Sequence, residues 1–423
     1  MLSREENELI TKVGSGTPMG NLMRQYWVPA LRASKIEADG APVRVRLFGE
    51  NFVAFRATDG RVGFFDEACP HRGVSLALGR NEDCAIRCIF HGWKIDVSGQ
   101  VVEVPSEPAG SNMASKIKVN HYPVHESIGL VWVWLGQGEV PPFPNYEFNN
   151  VPLDQVRVVQ AQSNCNWLQI IETTIDSSHV ALLHQYWLQG DAVQATTPLL
   201  AQTLQDRAPT YEIEPTRYGF HAAATRNLAN NIRYVRVSEF VAPFISFIPP
   251  GQDMPKFTNI VVPVDDEHTI HWFVYHDPEK SINLSPLFYK INFGAEEPDE
   301  DNFYNNHGGK DKMWGQDREA MKNGHFTGMY ALFVEDFVIG ESQGAIADRT
   351  KEKLGRSDIA IINARKVLIK AVREFQETRE VFGQDPSIAY DQIDAKNLLL
   401  EPGEDWHDRL GLARTEQQGV GVA

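Results

Sequence analysis

The stretch DEACPHRGVSLALGRNEDCAIRCIFHGWKID, residues 66–96, contains three of the four cysteines of this 423-residue chain, together with two histidines. Within it, Cys69-x-His71 and Cys88-x-x-His91 each place one thiol and one imidazole on a short loop. Two such loops can bring four ligands to one metal centre. The segment therefore predicts a metal site around which the N-terminal part of the chain folds.

Two kinds of metal centre fit this pattern. A structural zinc ion prefers four nitrogen or sulfur ligands, but its usual motifs pair cysteine with cysteine and histidine with histidine. A [2Fe–2S] cluster with two thiolates on one iron and two imidazoles on the other matches the mixed order, and the neutral imidazoles raise its reduction potential. The spacing favours this electron carrier over zinc. Cys84 and Cys165 lie outside the pattern and are predicted to be small apolar residues.

The sequence around this segment predicts a small β domain. The run at 43–48 alternates apolar with polar residues, a second strand-like run follows at 52–57, and Thr58-Asp59-Gly60 is typical of a hairpin turn. The apolar run VWVWL at 131–135 predicts a further strand. The Gly- and Pro-rich segment 136–148 then indicates a domain boundary.

The remainder of the chain predicts an α+β domain. We expect a helix over about 165–184, and a shorter helix near the N-terminus over about 20–27. Strand-like runs at 218–226, 232–241, 258–264 and 268–276 predict an antiparallel sheet. The segment 357–377 carries apolar residues at helical spacing and predicts an amphipathic helix that packs on this sheet.

Composition excludes some classes of function. The net charge of −16 argues against nucleic-acid binding, which needs a basic surface. No apolar run approaches the roughly 18 residues of a membrane span, so no membrane association is expected. Few cysteines and a charged N-terminus without an apolar export signal indicate the reducing cytoplasm.

A second candidate metal site lies in NWLQIIETTIDSSHVALLHQYW, residues 166–187, which offers Glu172, Asp176, His179 and His184. Asp176 and His179 are three residues apart and are expected on one helix face. The two histidines are separated by about 140° on a regular helix, so both reach one metal only if the helix bends or ends.

Together these motifs carry a resemblance to a known family that covers most of the chain. CPHRG (69–73) and CIFHGW (88–93) resemble the cluster-binding signature of Rieske proteins. The D-x-x-H-x-x-x-x-H pattern at 176–184 resembles the mononuclear iron motif of Rieske non-heme iron oxygenases. Segments 1–31 and 341–355 look like the phthalate-dioxygenase-like group, which includes chlorobenzoate and phenoxybenzoate dioxygenases and some aryl O-demethylases.

The resemblance implies two cofactors and their ligands. One [2Fe–2S] cluster would be held by Cys69, His71, Cys88 and His91. One mononuclear Fe(II) would be held by two histidines and a carboxylate, as in other non-heme Fe(II) oxygenases. The implied iron ligands are His179, His184 and Asp336, with Glu335 as the competing carboxylate.

The family also implies a bridging acid and an assembly. Asp176 is the implied catalytic carboxylate that receives electrons through His91 of a neighbouring subunit. The implied assembly is a homotrimer, or stacked trimers. Electrons would come from a separate NAD(P)H-dependent flavin and iron–sulfur reductase.

The fold class implied is α+β, with a small all-β Rieske domain and a helix-grip catalytic domain that contains an antiparallel sheet. The expected division is an N-terminal helical segment at 1–26 packing on the catalytic domain, a Rieske domain at 27–138 and an iron domain at 139–423.

The expected reaction is O2-dependent ring dihydroxylation of an aromatic carboxylic acid. Ser177 and Ser178 flank the iron motif, and arginines in the predicted pocket walls could clamp the substrate carboxylate at two points. The candidates are Arg207, Arg226, Arg233 and Arg236, of which we favour Arg207 and Arg236, together with Ser177. Two alternatives remain: aryl-ether O-demethylation with release of formaldehyde, and a Rieske electron-transfer protein without oxygenase activity.

Overall fold

The N-terminal part of the chain consists of two helices and three small antiparallel sheets. The computed structural model describes residues 1–252, 254–296, 301, 303–304 and 308–412. The sheets have the strand orders β1-β10-β9, β2-β3-β4 and β5-β6-β7-β8. The elements are α1 (Arg4–Thr11), α2 (Pro18–Met23), β1 (Val28–Arg32), β2 (Val43–Leu47), β3 (Glu50–Arg56), β4 (Val62–Asp66), β5 (Arg80–Glu82), β6 (Ala85–Arg87), β7 (Lys94–Asp96), β8 (Val101–Glu103), β9 (Val124–Ser127) and β10 (Leu130–Val133).

A separate apolar core surrounds the two motif cysteines. Cys69 and Cys88 are buried in it, each 3% exposed. Apolar side chains from the two neighbouring sheets close the core, among them Val53, Phe55, Phe65, Leu76, Ile86 and Trp93. The cysteine-bearing loops are therefore attached to a rigid apolar base.

The larger part of the chain is built on an eight-stranded antiparallel sheet. Its order is β11-β17-β16-β15-β14-β13-β12, and β18 pairs with the first half of β14 while β15 pairs with the last three residues of β14. The prediction of an α+β fold with an antiparallel sheet is confirmed. The strands are β11 (Val156–Ser163), β12 (Thr210–Pro215), β13 (Gly219–Asn227), β14 (Arg233–Val241), β15 (Ile245–Ile248), β16 (Lys256–Pro263), β17 (Thr269–His276) and β18 (Lys396–Leu400).

Helices cover this sheet and supply the second metal segment. α3 packs against β14, β15, β16 and β17, and α10 packs against α3 and α8. α11 is the predicted amphipathic helix, and it contacts β12 and β13 on one side and α1 and α2 on the other. The helices are α3 (Trp167–Ile175), α4 (Val180–Leu183), α5 (Gln185–Gln189), α6 (Asp191–Thr196), α7 (Pro198–Ala201), α8 (Pro286–Phe293), α9 (Arg318–Lys322), α10 (Leu332–Ser342), α11 (Ile359–Thr378) and α12 (Trp406–Leu410).

Two predicted helices differ from those observed. The prediction of one helix over 165–184 was wrong, because the backbone becomes extended at Asp176 and resumes a helical path only at α4. The helix expected over 20–27 begins earlier, since the Thr17 hydroxyl accepts a hydrogen bond from the Gly20 amide and Pro18 occupies the first turn. It ends at Met23, and β1 follows from Val28.

Among the described residues, no helix is both long enough and apolar enough to cross a membrane.

Candidate metal centres and substrate cavity

The two loops of the first metal segment have the same backbone geometry. The amide of Cys69 donates to the carbonyl of Val74 at 2.8 Å, and the amide of Cys88 donates to the carbonyl of Trp93 at 2.9 Å. In each loop a glycine closes the turn, Gly73 at φ 75° in one and Gly92 at φ 73° in the other. A side chain at either glycine would be strained in this left-handed conformation.

The four motif side chains of these loops form two pairs, one of histidines and one of cysteines. The rings of His71 and His91 have their centroids 4.5 Å apart, and His71 stacks on Trp93 at 4.7 Å. Burial raises the pKa of the Cys69 thiol to about 11, and the adjacent Cys88 thiol contributes to this rise. Two neutral thiols in an apolar core are a poor arrangement by themselves, whereas bound iron would stabilise both as thiolates.

These residues fit a [2Fe–2S] cluster with two cysteine and two histidine ligands. The cysteines lie in the interior and the histidines toward the surface, where Ile89 and Phe90 are exposed. Cys84 is half-buried, and Cys165 is fully buried with its thiol near the Ser163 hydroxyl. Both lie outside the cluster loops, as expected.

In the second metal segment, the chain unwinds because groups distant in sequence hold it open. The amide of Ser178 donates to the Asp176 carboxylate at 2.7 Å, which closes a local turn. Buried Arg226 donates to the carbonyl and the hydroxyl of Ser177, at 2.5 and 3.2 Å. The Tyr211 hydroxyl accepts from the Ser177 amide at 2.9 Å and donates to Asp176 at 3.4 Å. These contacts replace the helical hydrogen bonds that the backbone loses.

His179 and His184 flank the short helix α4 and converge on Asp336 of α10. Asp336 Oδ1 lies 3.5 Å from His179 Nε2 and 3.2 Å from His184 Nε2. One possible ligand atom from each of these three residues lies within 4.8 Å of the ligand atoms of the other two. A metal with bonds of roughly 2.1 Å would place neighbouring ligand atoms roughly 3 Å apart, so this spacing fits a metal ion.

The opposite nitrogen of each histidine faces a second carboxylate. His184 Nδ1 donates to Glu335 Oε2 at 2.7 Å, and His179 Nδ1 lies 3.5 Å from Asp176 Oδ2. The contact with Glu335 therefore leaves the Nε2 lone pair of His184 free to face Asp336. Ligating histidines in metalloproteins usually have such a partner, which fixes the ring orientation.

The charges around His184 also favour a cation. Burial alone would lower its pKa, but the carboxylates of Asp336 and Glu335 raise it to about 10. The site therefore stabilises positive charge beside the ring. Two imidazoles and one carboxylate on one face are typical of non-heme Fe(II) sites with open positions.

A cavity of about 560 Å³ opens beside this His/His/Asp group. Its wall on the sheet side is formed by alternate residues of β16 and β17, all of which point to the same face. They are Phe257, Asn259, His271, Phe273 and Tyr275. Phe333 and Phe337 of α10 cover the other side, with the Phe273 and Phe333 rings 4.8 Å apart. The cavity is thus an aromatic slot that ends at the candidate iron site.

The structure separates the four candidate arginines. Arg236 of β14 lines the cavity, whereas Arg226 is buried against the 176–179 loop. Arg207 is exposed and contacts Gln185, and Arg233 donates to the carbonyl of Glu404, so neither is brought to the cavity. For Arg207 and Arg233, the strand and turn patterns of the sequence did not specify whether the side chain faces the cavity or points away from it.

Of the two predicted serines, only Ser177 is brought to the cavity. Ser177 lines the cavity, and its hydroxyl accepts from Arg226. Ser178 instead bonds to the Tyr211 hydroxyl. Glu172, offered by the second segment, does not reach the histidines, because its carboxylate is paired with Arg349 and Arg365.

Sequence reasoning missed three residues of the site: Tyr211, Asn259 and His271. Asn259 is two residues from Phe257, and His271 is two residues from Phe273, so each shares a strand face with an aromatic residue, and this spacing could have identified both. Tyr211 had no such signal, since its contact with Asp176 joins residues 35 positions apart in the chain.

Two known families match most of the chain. Residues 26–123 match the family described as Rieske [2Fe-2S] domain, and residues 133–420 match the family described as LigXa C-terminal domain like. The first match includes both cysteine-bearing loops, and the second includes the His/His/Asp group and the cavity.

Similar proteins include two oxygenase subunits of bacterial dioxygenases. The chain is 40% identical over 421 residues to the phthalate 4,5-dioxygenase oxygenase subunit of Pseudomonas putida, which covers 96% of this chain and 94% of that protein. It is 36% identical over 395 residues to the 3-chlorobenzoate-3,4-dioxygenase oxygenase subunit of Comamonas testosteroni, covering 88% and 89% respectively. Among solved structures, a variant of NdmA from Pseudomonas putida CBB5 with caffeine has a similar fold, with a TM-score of 0.58, 19% identity and coverage of 84% and 92%.

Proposed function

Since the chain belongs to the Rieske non-heme iron oxygenases, as an oxygenase component of the phthalate 4,5-dioxygenase-like group, we propose that it hydroxylates an aromatic carboxylic acid whose carboxylate is bound by Arg236. The reaction incorporates O2 and is expected to be ring dihydroxylation. Phthalate, chlorobenzoate and related benzoates are the first substrates to test, since the relatives are named for two of them.

One observation carries this proposal: Arg236 is a buried guanidinium in the cavity wall without an anionic partner in the described part of the chain. It is 4% exposed, and its hydrogen bonds go to the Tyr234 hydroxyl at 3.4 Å and the Pro249 carbonyl at 3.2 Å. Its Nε has no hydrogen-bond partner among the described residues. A buried cation of this kind is costly unless an anion joins it, and a carboxylate fits the guanidinium fork.

The electrostatics around Arg236 support an anionic ligand. Burial, together with the nearby charge of Arg236, lowers the pKa of Arg226 to about 10. The positive charge of Arg236 in the cavity wall therefore repels that of buried Arg226. A substrate carboxylate would relieve their repulsion.

The aromatic walls of the cavity support a flat, apolar ring in the ligand. Phe257 and Tyr275 stack at 4.8 Å, and Phe273 lies between His271 and Phe333. A cavity of this size and composition is ordinary for a small organic ligand. A ring held at Arg236 by its carboxylate would lie in this slot with another edge toward the His/His/Asp group.

We propose that His179, His184 and Asp336 hold the mononuclear Fe(II), and that Cys69, His71, Cys88 and His91 hold the [2Fe–2S] cluster. When bound, the cluster supplies electrons and the iron supplies O2 activation. The chain's residues orient the ring, exclude water and keep the imidazoles in place.

The route of the electrons involves further residues and partners. We propose that Asp176 connects the iron histidine His179 to the cluster of a neighbouring subunit in a homotrimer or stacked trimers. Its position at 3.5 Å from His179 Nδ1 supports this role. A separate NAD(P)H-dependent flavin and iron–sulfur reductase would reduce the cluster. We also propose the division into segments 1–26, 27–138 and 139–423, and a cytoplasmic location.

The test of the function uses the holoenzyme with a generic reductase. Oxygen uptake and product mass are measured with benzoate, phthalate, 3-chlorobenzoate and methoxybenzoates. A gain of two oxygens and two hydrogens identifies ring dihydroxylation, whereas loss of a methylene unit with formaldehyde identifies O-demethylation. No oxygen uptake with any aromatic acid would contradict the proposal.

The role of Arg236 is tested in the same assay with matched variants. Arg236→Gln should weaken the binding of the acids by about 30-fold or more, because a buried charge pair is lost. Arg236→Lys should bind the acids with an affinity between those of the parent and Arg236→Gln, since lysine keeps the charge but loses the two-point geometry. Arg233→Gln, on the same strand but away from the cavity, should bind like the parent. Equal affinity of the parent and Arg236→Gln would exclude Arg236 as the anchor.

A further inference from the structure

Ser238 is a buried serine in the cavity wall, and its hydroxyl is free. It lies on β14 two residues after Arg236, is 5% exposed and lines the same cavity. In the part of the chain that the structure describes, its hydroxyl makes no hydrogen bond. The other hydroxyl side chains of the cavity wall all take part in hydrogen bonds; they are those of Thr173, Thr174, Ser177, Thr197, Ser281 and Ser285.

The strand pairing of β14 leaves room at this hydroxyl. On one side β18 pairs with residues 233–237 and β15 with residues 239–241, so β14 changes its partner at Ser238. On the other side Ser238 pairs with Ala222 of β13, whose side chain is a single methyl group. The Ser238 Oγ atom therefore keeps accessible surface toward the cavity, whereas the unpaired hydroxyl of Thr258 on β16 is fully enclosed.

Ser238 and Arg236 present hydrogen-bond donors on one face of the sheet. Side chains two residues apart on a strand point to the same side, with their Cα atoms roughly 7 Å apart. A guanidinium only donates hydrogen bonds, and a free hydroxyl has one hydrogen to donate. An ionised carboxylate only accepts, and its two oxygens offer about four lone-pair sites. One carboxylate can therefore accept from both side chains.

We propose that the Ser238 hydroxyl donates a hydrogen bond to the same substrate carboxylate that Arg236 binds. The inference rests on the proposed function, since it takes the carboxylate to be anchored at Arg236, and it assigns a second residue to that anchor. Donors from two side chains fix the plane of the carboxylate, whereas a single cation leaves the carboxylate free to turn. The aromatic ring attached to it is then held in one orientation toward the His/His/Asp group.

The role of Ser238 is tested by binding alone, with anaerobic holoenzyme and isothermal titration calorimetry. The candidate probes are benzoate, 3-chlorobenzoate and phthalate, and the one that the parent binds most tightly is used. Carboxylates are the only hydrogen-bonding groups of these three acids. A change in affinity on removing the Ser238 hydroxyl therefore reports on the carboxylate and on no other substituent of the ring.

Three variants separate the hydroxyl from its surroundings. Ser238→Ala should weaken binding by at least about fivefold, because hydrogen bonds to charged groups contribute more than those between neutral groups. Ser238→Thr keeps a hydroxyl and suits a strand, so it should bind the acid more tightly than Ser238→Ala. Ser246→Ala is the matched control and should bind like the parent. Ser246 is also buried in the sheet, on β15, but its hydroxyl donates to Thr174 and does not line the cavity.

The outcomes separate this inference from the proposed function. If the parent binds the acid and Ser238→Ala weakens binding by less than about fivefold, the role of Ser238 is wrong and the function stands. Equal losses in Ser238→Ala and Ser246→Ala would also overturn it, since the effect would then not depend on the cavity. If none of the three acids binds to the parent, the proposed function itself fails. Circular dichroism and the visible absorbance of the cluster check that each variant is folded.

Discussion

His184 Nδ1 lies 2.7 Å from Glu335 Oε2, while His184 Nε2 lies 3.2 Å from Asp336 Oδ1. Two consecutive acidic residues of α10 therefore contact the two ring nitrogens of one imidazole, one carboxylate on each side. Because an ionised carboxylate only accepts hydrogen bonds, the contact with Glu335 places the proton on Nδ1 and leaves the Nε2 lone pair for a metal. The Glu-Asp pair thus consists of one metal ligand and one residue that positions the histidine.

Replacing Glu335 should weaken iron binding without affecting the cluster. We expect Glu335→Gln to lower Fe(II) affinity by about 10- to 100-fold, since loss of a carboxylate behind a ligating histidine has effects of that size. The measurement is the iron retained after equilibration with a chelator, with cluster absorbance as the internal reference. Glu341→Gln is the control, because Glu341 is also buried on α10 but bonds to Asn164 and Trp314. Equal iron retention in the two variants would contradict the role of Glu335.

The two metal segments differ in how much of each could be predicted from sequence. The loops around Cys69 and Cys88 are local structures, closed by short-range hydrogen bonds and by glycines at positive φ, so their motif spacing was sufficient. The path from Asp176 to His184 depends on Arg226, about fifty residues away in the chain, which no local pattern specifies. A continuous helix was the natural expectation there.

The cavity shows the same dependence on tertiary structure. Arg207 and Arg236 were equivalent candidates, because both lie in segments expected to form the walls. Only the register of β14 against β15 and β18 turns Arg236 inward, whereas Arg207 precedes β12 and is exposed. Strand alternation predicts which residues share a face, but not which face meets the cavity.

Asp176 is expected to be essential for turnover but not for the cofactors. Asp176→Asn keeps the size of the side chain, so the cluster and the iron should both remain bound while steady-state oxygen uptake nearly disappears. Single-turnover oxidation of the reduced cluster, followed by visible absorbance, checks whether electron transfer is the step that is lost. Tyr211→Phe should give an intermediate defect, because it removes the hydrogen bonds of the hydroxyl to Asp176, Ser177 and Ser178 but keeps the Asp176 carboxylate itself. Asp348→Asn, at an exposed position, should behave like the parent, and normal turnover by Asp176→Asn would refute the bridging role.

Glu172 is expected to be a stability residue. Its carboxylate pairs with Arg349 at 2.9 Å and with Arg365 at 2.6 Å, and all three side chains are less than 10% exposed. Glu172→Gln leaves two buried guanidinium groups with less compensation, so the free energy of unfolding should fall by about 3–5 kcal/mol. Urea unfolding followed by tryptophan fluorescence measures this. Glu319→Gln breaks an exposed pair with Lys322 and should change the free energy of unfolding by less than about 1 kcal/mol; similar losses in both variants would argue against the buried network.

Glu147 should contribute stability that depends on pH. Its carboxylate accepts from His276 Nε2 at 3.0 Å and from Lys256 Nζ at 2.5 Å, and these groups lower its pKa from 4.5 to about 2. A carboxyl whose pKa is lower in the folded than in the unfolded state stabilises the fold above the unfolded pKa, and the stabilisation is lost as pH falls toward the folded pKa. Glu147→Gln should therefore melt at a lower temperature than the parent at pH 7, and the difference should shrink as pH falls below about 4.5. Differential scanning fluorimetry of both proteins from pH 7 to pH 3 measures it, with Glu279→Gln as the exposed control. A difference that stays constant over this range would show that Glu147 acts by packing and not by its charge.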